Sequence, residues 1–218
     1  MTRPRFRLIC FDIGGVLVRH CRTWQEGCAA AGLPVRSGSE LPEQSQRRKQ
    51  LAQLLTTGRL SEQEFYEQVA ATTNGLYSPG DVARIHHAWL GPEYTGVGPV
   101  IAELVRAGRI QTGVLSNTNA PHWSRLDPSP ERPAQYPTAS LLSNRHASHL
   151  LGLAKPMPET YAEFERRTGV AGHEILFLED LPENAAPAAA RGWHVELIDY
   201  TRETAPQIRS VLERYDLI

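Results

Sequence analysis

Four short apolar runs, each ending on polar residues, constrain this chain more than any other feature. Residues 7–11 read Arg-Leu-Ile-Cys-Phe and stop at Asp12, residues 110–115 stop at Ser116, residues 174–178 stop at Glu179 and Asp180, and residues 193–198 stop at Asp199. Runs this short, bounded by turn signals, read as buried strands rather than helices. A weaker strand candidate lies between Thr138 and Ser148. Helical patterns over residues 97–107, 158–168 and 182–191 separate the runs, and Gly108, Gly169 and Gly192 follow them as helix stops. Pro187 inside the last pattern predicts a late start or a kink there. Alternating strands and helices predict an α/β fold with a doubly wound parallel sheet.

The stretch between the first run and the rest is different in kind. Residues 20–91 hold four helical segments and no strand pattern, which predicts a helical insertion, with residues 1–19 and 92–218 forming the main domain. Thr23 with Glu26 and Ser61 with Glu64 have capping-box spacing, Pro42 and Pro79 suit first turns, and Gly32 and Gly58 suit helix ends. Leu51, Leu54, Leu55, Phe65, Val69, Val82, Ile85 and Trp89 recur at helical spacing and predict a separate packed core. Pro128, Pro130, Pro133 and Pro137 mark residues 127–137 as a loop.

Bulk chemistry removes several function classes. With 23 Lys and Arg against 24 Asp and Glu, the formal net charge is −1, so no global attraction to nucleic acid or anionic membrane is expected. No run approaches the ~18 apolar residues of a membrane span, and the first residues lack a signal-peptide core. Cys10, Cys21 and Cys28 are an odd set without metal-type spacing, which fits a reducing cytoplasm and neither a disulfide framework nor a zinc site. Oligomeric state is not specified by any of these features.

In an open parallel sheet, ligands bind beyond the carboxyl ends of the strands. Asp12, Ser116, Glu179 and Asp180 all fall there. Singly each reads as a loop residue or a helix cap; jointly they predict a polar site.

Four segments in order then resemble the motifs of the haloacid dehalogenase superfamily. Residues 11–18, Phe-Asp-Ile-Gly-Gly-Val-Leu-Val, resemble its nucleophile loop, and residues 115–119, Leu-Ser-Asn-Thr-Asn, its serine motif. Ser148, His149, Gly152 and the stretch from Lys155 to Tyr161 resemble the lysine motif, and residues 178–184, Leu-Glu-Asp-Leu-Pro-Glu-Asn, the acidic metal motif. The resemblance implies a Rossmann-like core under a mobile helical cap, with the looser likeness being to sugar-phosphate-type phosphatases. It also implies Mg²⁺ as cofactor and a small phosphorylated metabolite as substrate.

By the same resemblance, Asp12 is the carboxylate nucleophile that forms an aspartyl phosphate. Ser116, Asn117, Lys155 and Gly15 surround the phosphoryl group, with Ser116 and Lys155 also catalytic. Asp12, the Gly14 carbonyl and Asp180 are the Mg²⁺ ligands, with Glu179 beside them. Asn184 is expected to cap its helix. The chain departs from the pattern at Gly14, where most phosphatases of the superfamily carry a second aspartate as acid and base. Losing such a group costs about 10²–10⁴ in rate. Three explanations compete: a good leaving group that needs little protonation, His20 as replacement, or a protein that binds phosphate compounds with little turnover. The first is preferred because the resembled subgroup shares the glycine. Phosphomonoester hydrolysis is thus the leading expectation, a phosphate-binding or regulatory protein the second, and metal-free dehalogenation of a 2-haloacid the third.

Overall fold

In the computed structural model, which describes residues 6–128 and 133–218, the apolar runs become a five-stranded sheet. Its strands are β1 (Leu8–Phe11), β4 (Gln111–Ser116), β5 (Asn144–Ala147), β6 (Ile175–Glu179) and β7 (His194–Leu197). They lie in the order β5-β4-β1-β6-β7, and every pairing is parallel. The chain starts at the centre, builds outward through β4 and β5, then returns to the other side for β6 and β7. The switch point therefore falls at β1, where an open α/β sheet forms its binding crevice.

Alternation along β1 divides the core in two. Ile9 and Phe11 face a cluster with Val97, Val100, Ile101 and Leu104 of α5 (Val97–Ala107) and Ile208, Val211 and Leu212 of α11 (Ala205–Arg214). Leu8 and Cys10 face the opposite cluster, with Tyr161 and Phe164 of α9 (Pro158–Thr168) and Ala188 of α10 (Pro182–Ala190). Both faces are covered, which is why β1 and β6 are apolar almost throughout. Gly108 and Gly169 close their helices in the left-handed region, as expected. The helix α10 begins at Pro182 and runs through Pro187, so it does not start late.

Four helices lie between β1 and α5: α1 (Trp24–Ala30), α2 (Pro42–Thr56), α3 (Glu62–Thr72) and α4 (Pro79–Ala88). They pack around Leu51, Leu55, Phe65, Val69, Val82 and Ile85, with Trp89 against them; Leu54 stands outside this cluster, half-buried. Ser61 and Glu64 form the predicted capping box, and Ser78 with Asp81 forms a second. Thr23 caps α1, but Glu26 reaches past it to accept from the Arg22 amide at 2.7 Å.

A two-stranded antiparallel ribbon corrects the expectation that residues 20–91 contain no strand. It pairs β2 (Val18–His20) with β3 (Leu90–Glu93), so the segments entering and leaving the four helices are tied to each other. The proline loop lies partly at residues 129–132, outside the described residues. At its far end Pro137 opens a short helix, α7 (Pro137–Ser140), rather than remaining loop. Two more short helices, α6 (Ala120–Trp123) and α8 (Ser148–Leu151), follow β4 and β5 directly. Among the described residues no helix is long and apolar enough to cross a membrane, and the three cysteines are unpaired.

Candidate active site

Adjacency of β4, β1 and β6 brings the polar residues together. In register, Phe11 sits opposite Val114 on one side and Leu178 on the other, so Asp12, Ser116 and Glu179 emerge from one edge. The Asp12 amide donates to the Leu178 carbonyl at 2.9 Å, which continues the ladder and fixes the start of the loop. Gly15 follows with φ at +78°, and a Cβ there would stand 2.1 Å from Oδ2 of Asp180. Only glycine fits that turn, and it lets the loop lie against the acidic residues.

Lys155 is the centre of the charge arrangement. Its ammonium, fully buried, lies 2.6 Å from Glu179 Oε2 and 3.2 Å from Asp12 Oδ1. Burial alone would lower its pKa, but the Asp12 and Glu179 carboxylates outweigh that and hold it above the usual lysine range. Asn117 fixes the backbone of this lysine: its amide nitrogen donates to the Lys155 carbonyl at 2.7 Å, and its oxygen accepts from the Lys155 N–H at 2.9 Å. The Asn117 side chain is therefore committed to Lys155, which leaves its backbone N–H for any phosphoryl contact. Ser116 is buried, and its hydroxyl has no hydrogen bond among the described residues.

The three carboxylates have separate environments. Glu179 accepts from Lys155 with Oε2 and from the Asp180 and Leu181 amides with Oε1, both at 3.0 Å. Despite its burial, these partners keep its pKa below the ordinary value, and both of its oxygens are taken. Asp12 is pushed up to about 6 by burial and by Glu179, against the pull of Lys155. Its Oδ1 carries the contacts with Lys155 and with the Ile13 amide, so Oδ2 is the freer oxygen. Asp180 is raised to about 8 by burial and by Asp12. Its Oδ2 pairs with Arg22, whose guanidinium lies 4.0 Å over the Tyr200 ring, and its Oδ1 is buried without a partner.

Oxygen atoms of Asp12, Glu179 and Asp180 come within 4.8 Å of one another. This all-oxygen donor set, with an orphaned buried oxygen on Asp180, fits a hard divalent cation such as Mg²⁺. Asp12 and Asp180 are the carboxylates left to hold it, whereas Glu179 is spent on the lysine. Glu179, expected beside the ligands, lies within the same cluster and also anchors Lys155.

Beside Gly14 stands His20. A Cβ on Gly14 would lie 2.6 Å from Cδ2 and 2.9 Å from Nε2 of that ring, so the imidazole fills the space an aspartate would enter. Its Nδ1 faces the Cys21 carbonyl at 2.9 Å, which only accepts, so the proton belongs on Nδ1 and Nε2 is left as an acceptor. Burial and Arg22 lower its pKa to about 4. Asn184 was expected to cap its helix, but α10 already includes it and has no side-chain cap; it is buried, and its backbone carbonyl accepts from Tyr161 at 2.6 Å. Tyr200 was not foreseen as part of this site, because it lies far along the chain with no motif around it.

A family model for haloacid dehalogenase-like hydrolases matches residues 6–192, and the chain belongs to that family. No match was found among curated proteins. Its fold is similar to that of a predicted HAD-like family hydrolase from Porphyromonas gingivalis, at 25% identity and a TM-score of 0.75, covering 95% of this chain and 98% of that one. A HAD family enzyme from Bacteroides thetaiotaomicron, solved in complex with magnesium and inorganic phosphate, matches at 18% identity and TM-score 0.72, over 94% of this chain and 100% of that one. An L-2-haloacid dehalogenase from Xanthobacter autotrophicus matches at 21% identity and TM-score 0.62, over 94% of this chain and 82% of that one, with chloropropionic acid covalently bound to it. The family and the hydrolase class follow from the family match, and the fold is shared by all three structures.

Proposed function

We propose that the protein is a Mg²⁺-dependent phosphatase of small phosphorylated metabolites, with Asp12 as nucleophile. The observation that carries this reading is the unpartnered buried oxygen of Asp180 beside Asp12, a site built for a cation. Dehalogenation of a 2-haloacid needs no cation at that oxygen. Bound Mg²⁺ would neutralise phosphoryl charge and draw the phosphate toward the nucleophile.

Asp12 Oδ2 attacks phosphorus, the bond to the leaving oxygen breaks, and its electron pair departs with the leaving group. Lys155 holds Oδ1 and so aims the free oxygen; Ser116 donates its hydroxyl to a phosphoryl oxygen, with backbone N–H groups of Asn117 and Gly15 beside it. Water then attacks phosphorus, the bond to Asp12 breaks, and phosphate leaves. His20 Nε2, lacking a proton at neutral pH, accepts one from that water but has none to give in the first step. Leaving groups that depart without protonation are therefore preferred. The four helices of residues 20–91 serve as the cap over the core of residues 1–19 and 92–218, with the β2–β3 ribbon at the junction.

A phosphate-ester panel with Mg²⁺ tests the reading. Saturable turnover that vanishes in Asp12→Asn and in EDTA is expected; ligand binding without turnover, or EDTA-resistant release of halide from 2-haloacids, overturns it.

A further inference from the structure

The site opens into a cavity of about 550 Å³ between the sheet edge and the four inserted helices. Within the usual range for small-molecule sites, it is far larger than a phosphoryl group needs. Its upper wall is made by Trp24, Leu55, Phe65, Val82, Ile85 and Trp89, several of them members of the hydrophobic cluster of those helices. The helices thus leave room over the site rather than closing on it, and what fills that room meets apolar and aromatic surface.

One corner of this wall carries more hydrogen-bond donors than acceptors that meet them. Arg48 lines the cavity at 9% exposure, donates to the Ser39 carbonyl at 2.8 Å, and forms no ion pair among the described residues. Its guanidinium lies 4.7 Å from the Trp24 ring centre, and the buried indole N–H of Trp24 has no partner. Glu40 lines the same cavity and attracts Arg48 without forming an ion pair, its carboxylate being bonded to Gln25. A buried cation with no carboxylate in direct contact, beside an unsatisfied N–H, leaves donors for a ligand that brings an anion. The planar fork of arginine suits a carboxylate.

We propose that the leaving group is an aromatic or branched apolar body bearing a carboxylate, with the body against Trp24, Phe65 and Trp89 and the carboxylate on Arg48. This rests on the phosphatase reading and narrows its substrate class. Sugar phosphates fit poorly, because hydroxyls buried against these walls go unpaired, and each such loss weakens binding by about tenfold or more. An aryl or acyl oxygen also departs without a general acid, in keeping with Gly14.

The test compares phenyl phosphate, para-carboxyphenyl phosphate, para-(carboxymethyl)phenyl phosphate and glucose phosphates on the Mg²⁺-loaded protein. The better carboxylated ester is expected to exceed phenyl phosphate in kcat/KM by about 10- to 100-fold, and glucose phosphates to fall below it. Arg48→Gln should bring that ratio to near one, and Arg48→Lys should keep part of it. Equal rates for phenyl and carboxylated esters, or a preference for glucose phosphates, overturn the inference while leaving the phosphatase reading standing. Calorimetry of the free para-hydroxyphenylacetate on Asp12→Asn separates the two: binding lost in Arg48→Gln, with no ester turned over by the wild type, sinks the phosphatase reading alone.

Discussion

Gly14→Asp would place a carboxyl where most phosphatases of the superfamily have their acid and base, and the structure says this alone fails. Its Cβ would stand 2.6 Å from His20 Cδ2, inside any real contact, so the ring must move and give up the 2.9 Å bond between Nδ1 and the Cys21 carbonyl. Backbone conformation is no obstacle, since Gly14 is not among the positive-φ glycines. The paired change Gly14→Asp with His20→Ala clears the space and supplies the acid. A positioned general acid contributes about 10²–10⁴, so the double variant should gain roughly 10²-fold or more on alkyl phosphates, whose leaving groups need a proton, and little on aryl phosphates. The assay is kcat/KM against leaving-group pKa over a series of substituted phenyl and alkyl phosphates. Wild type should show a steep fall with rising pKa, the double variant a shallow one, and the single variant no gain. A shallow slope in the wild type would mean a proton is already supplied, and a single variant as good as the double would mean His20 does not block the position.

Three further outcomes are expected. Lys155→Met leaves Asp12 and Glu179 buried without their cation, so turnover should vanish and stability fall by about 3–5 kcal/mol in chemical denaturation. Gly15→Ala forces a side chain into positive φ against Asp180, and should weaken Mg²⁺ binding in a calorimetric titration as well as lower the melting temperature. For pH, the folded pKa values of Asp12 at about 6 and Asp180 at about 8 lie above the 3.8 of an ordinary aspartate, so the folded protein holds extra protons between about 4 and 8. These groups therefore stabilise the metal-free fold less as pH rises through that window, and its melting temperature should fall. Mg²⁺ displaces those protons, so its stabilising effect should grow over the same range; a metal effect independent of pH would contradict this.

What the sequence disclosed depended on whether a signal was local. Apolar runs ending on Asp12, Ser116 and Glu179 reveal strands, and parallel topology alone brings strand ends together, so the site residues were legible before any distance was known. The ribbon was not: Leu90-Gly-Pro-Glu93 has little strand character, and its pairing with Val18–His20 is made by chain segments that meet only after four helices fold. Helix α11 carried its signal in Ile208, Val211 and Leu212, at helical spacing, yet no motif drew attention to it. Hydrogen-bond assignments were also hidden. That Glu179 anchors Lys155, that Asn117 holds the lysine backbone, and that His20 lies on Gly14 are all outcomes of packing.

The most direct test of the account is to trap the covalent intermediate. The Mg²⁺-loaded protein, quenched in acid during turnover of a phosphate ester labelled on phosphorus, should yield a hydroxylamine-labile phosphoryl group on the peptide that contains Asp12, absent from Asp12→Asn and from EDTA-treated protein. Steady turnover with no label on that peptide at any quench time, or label on another residue, would contradict it.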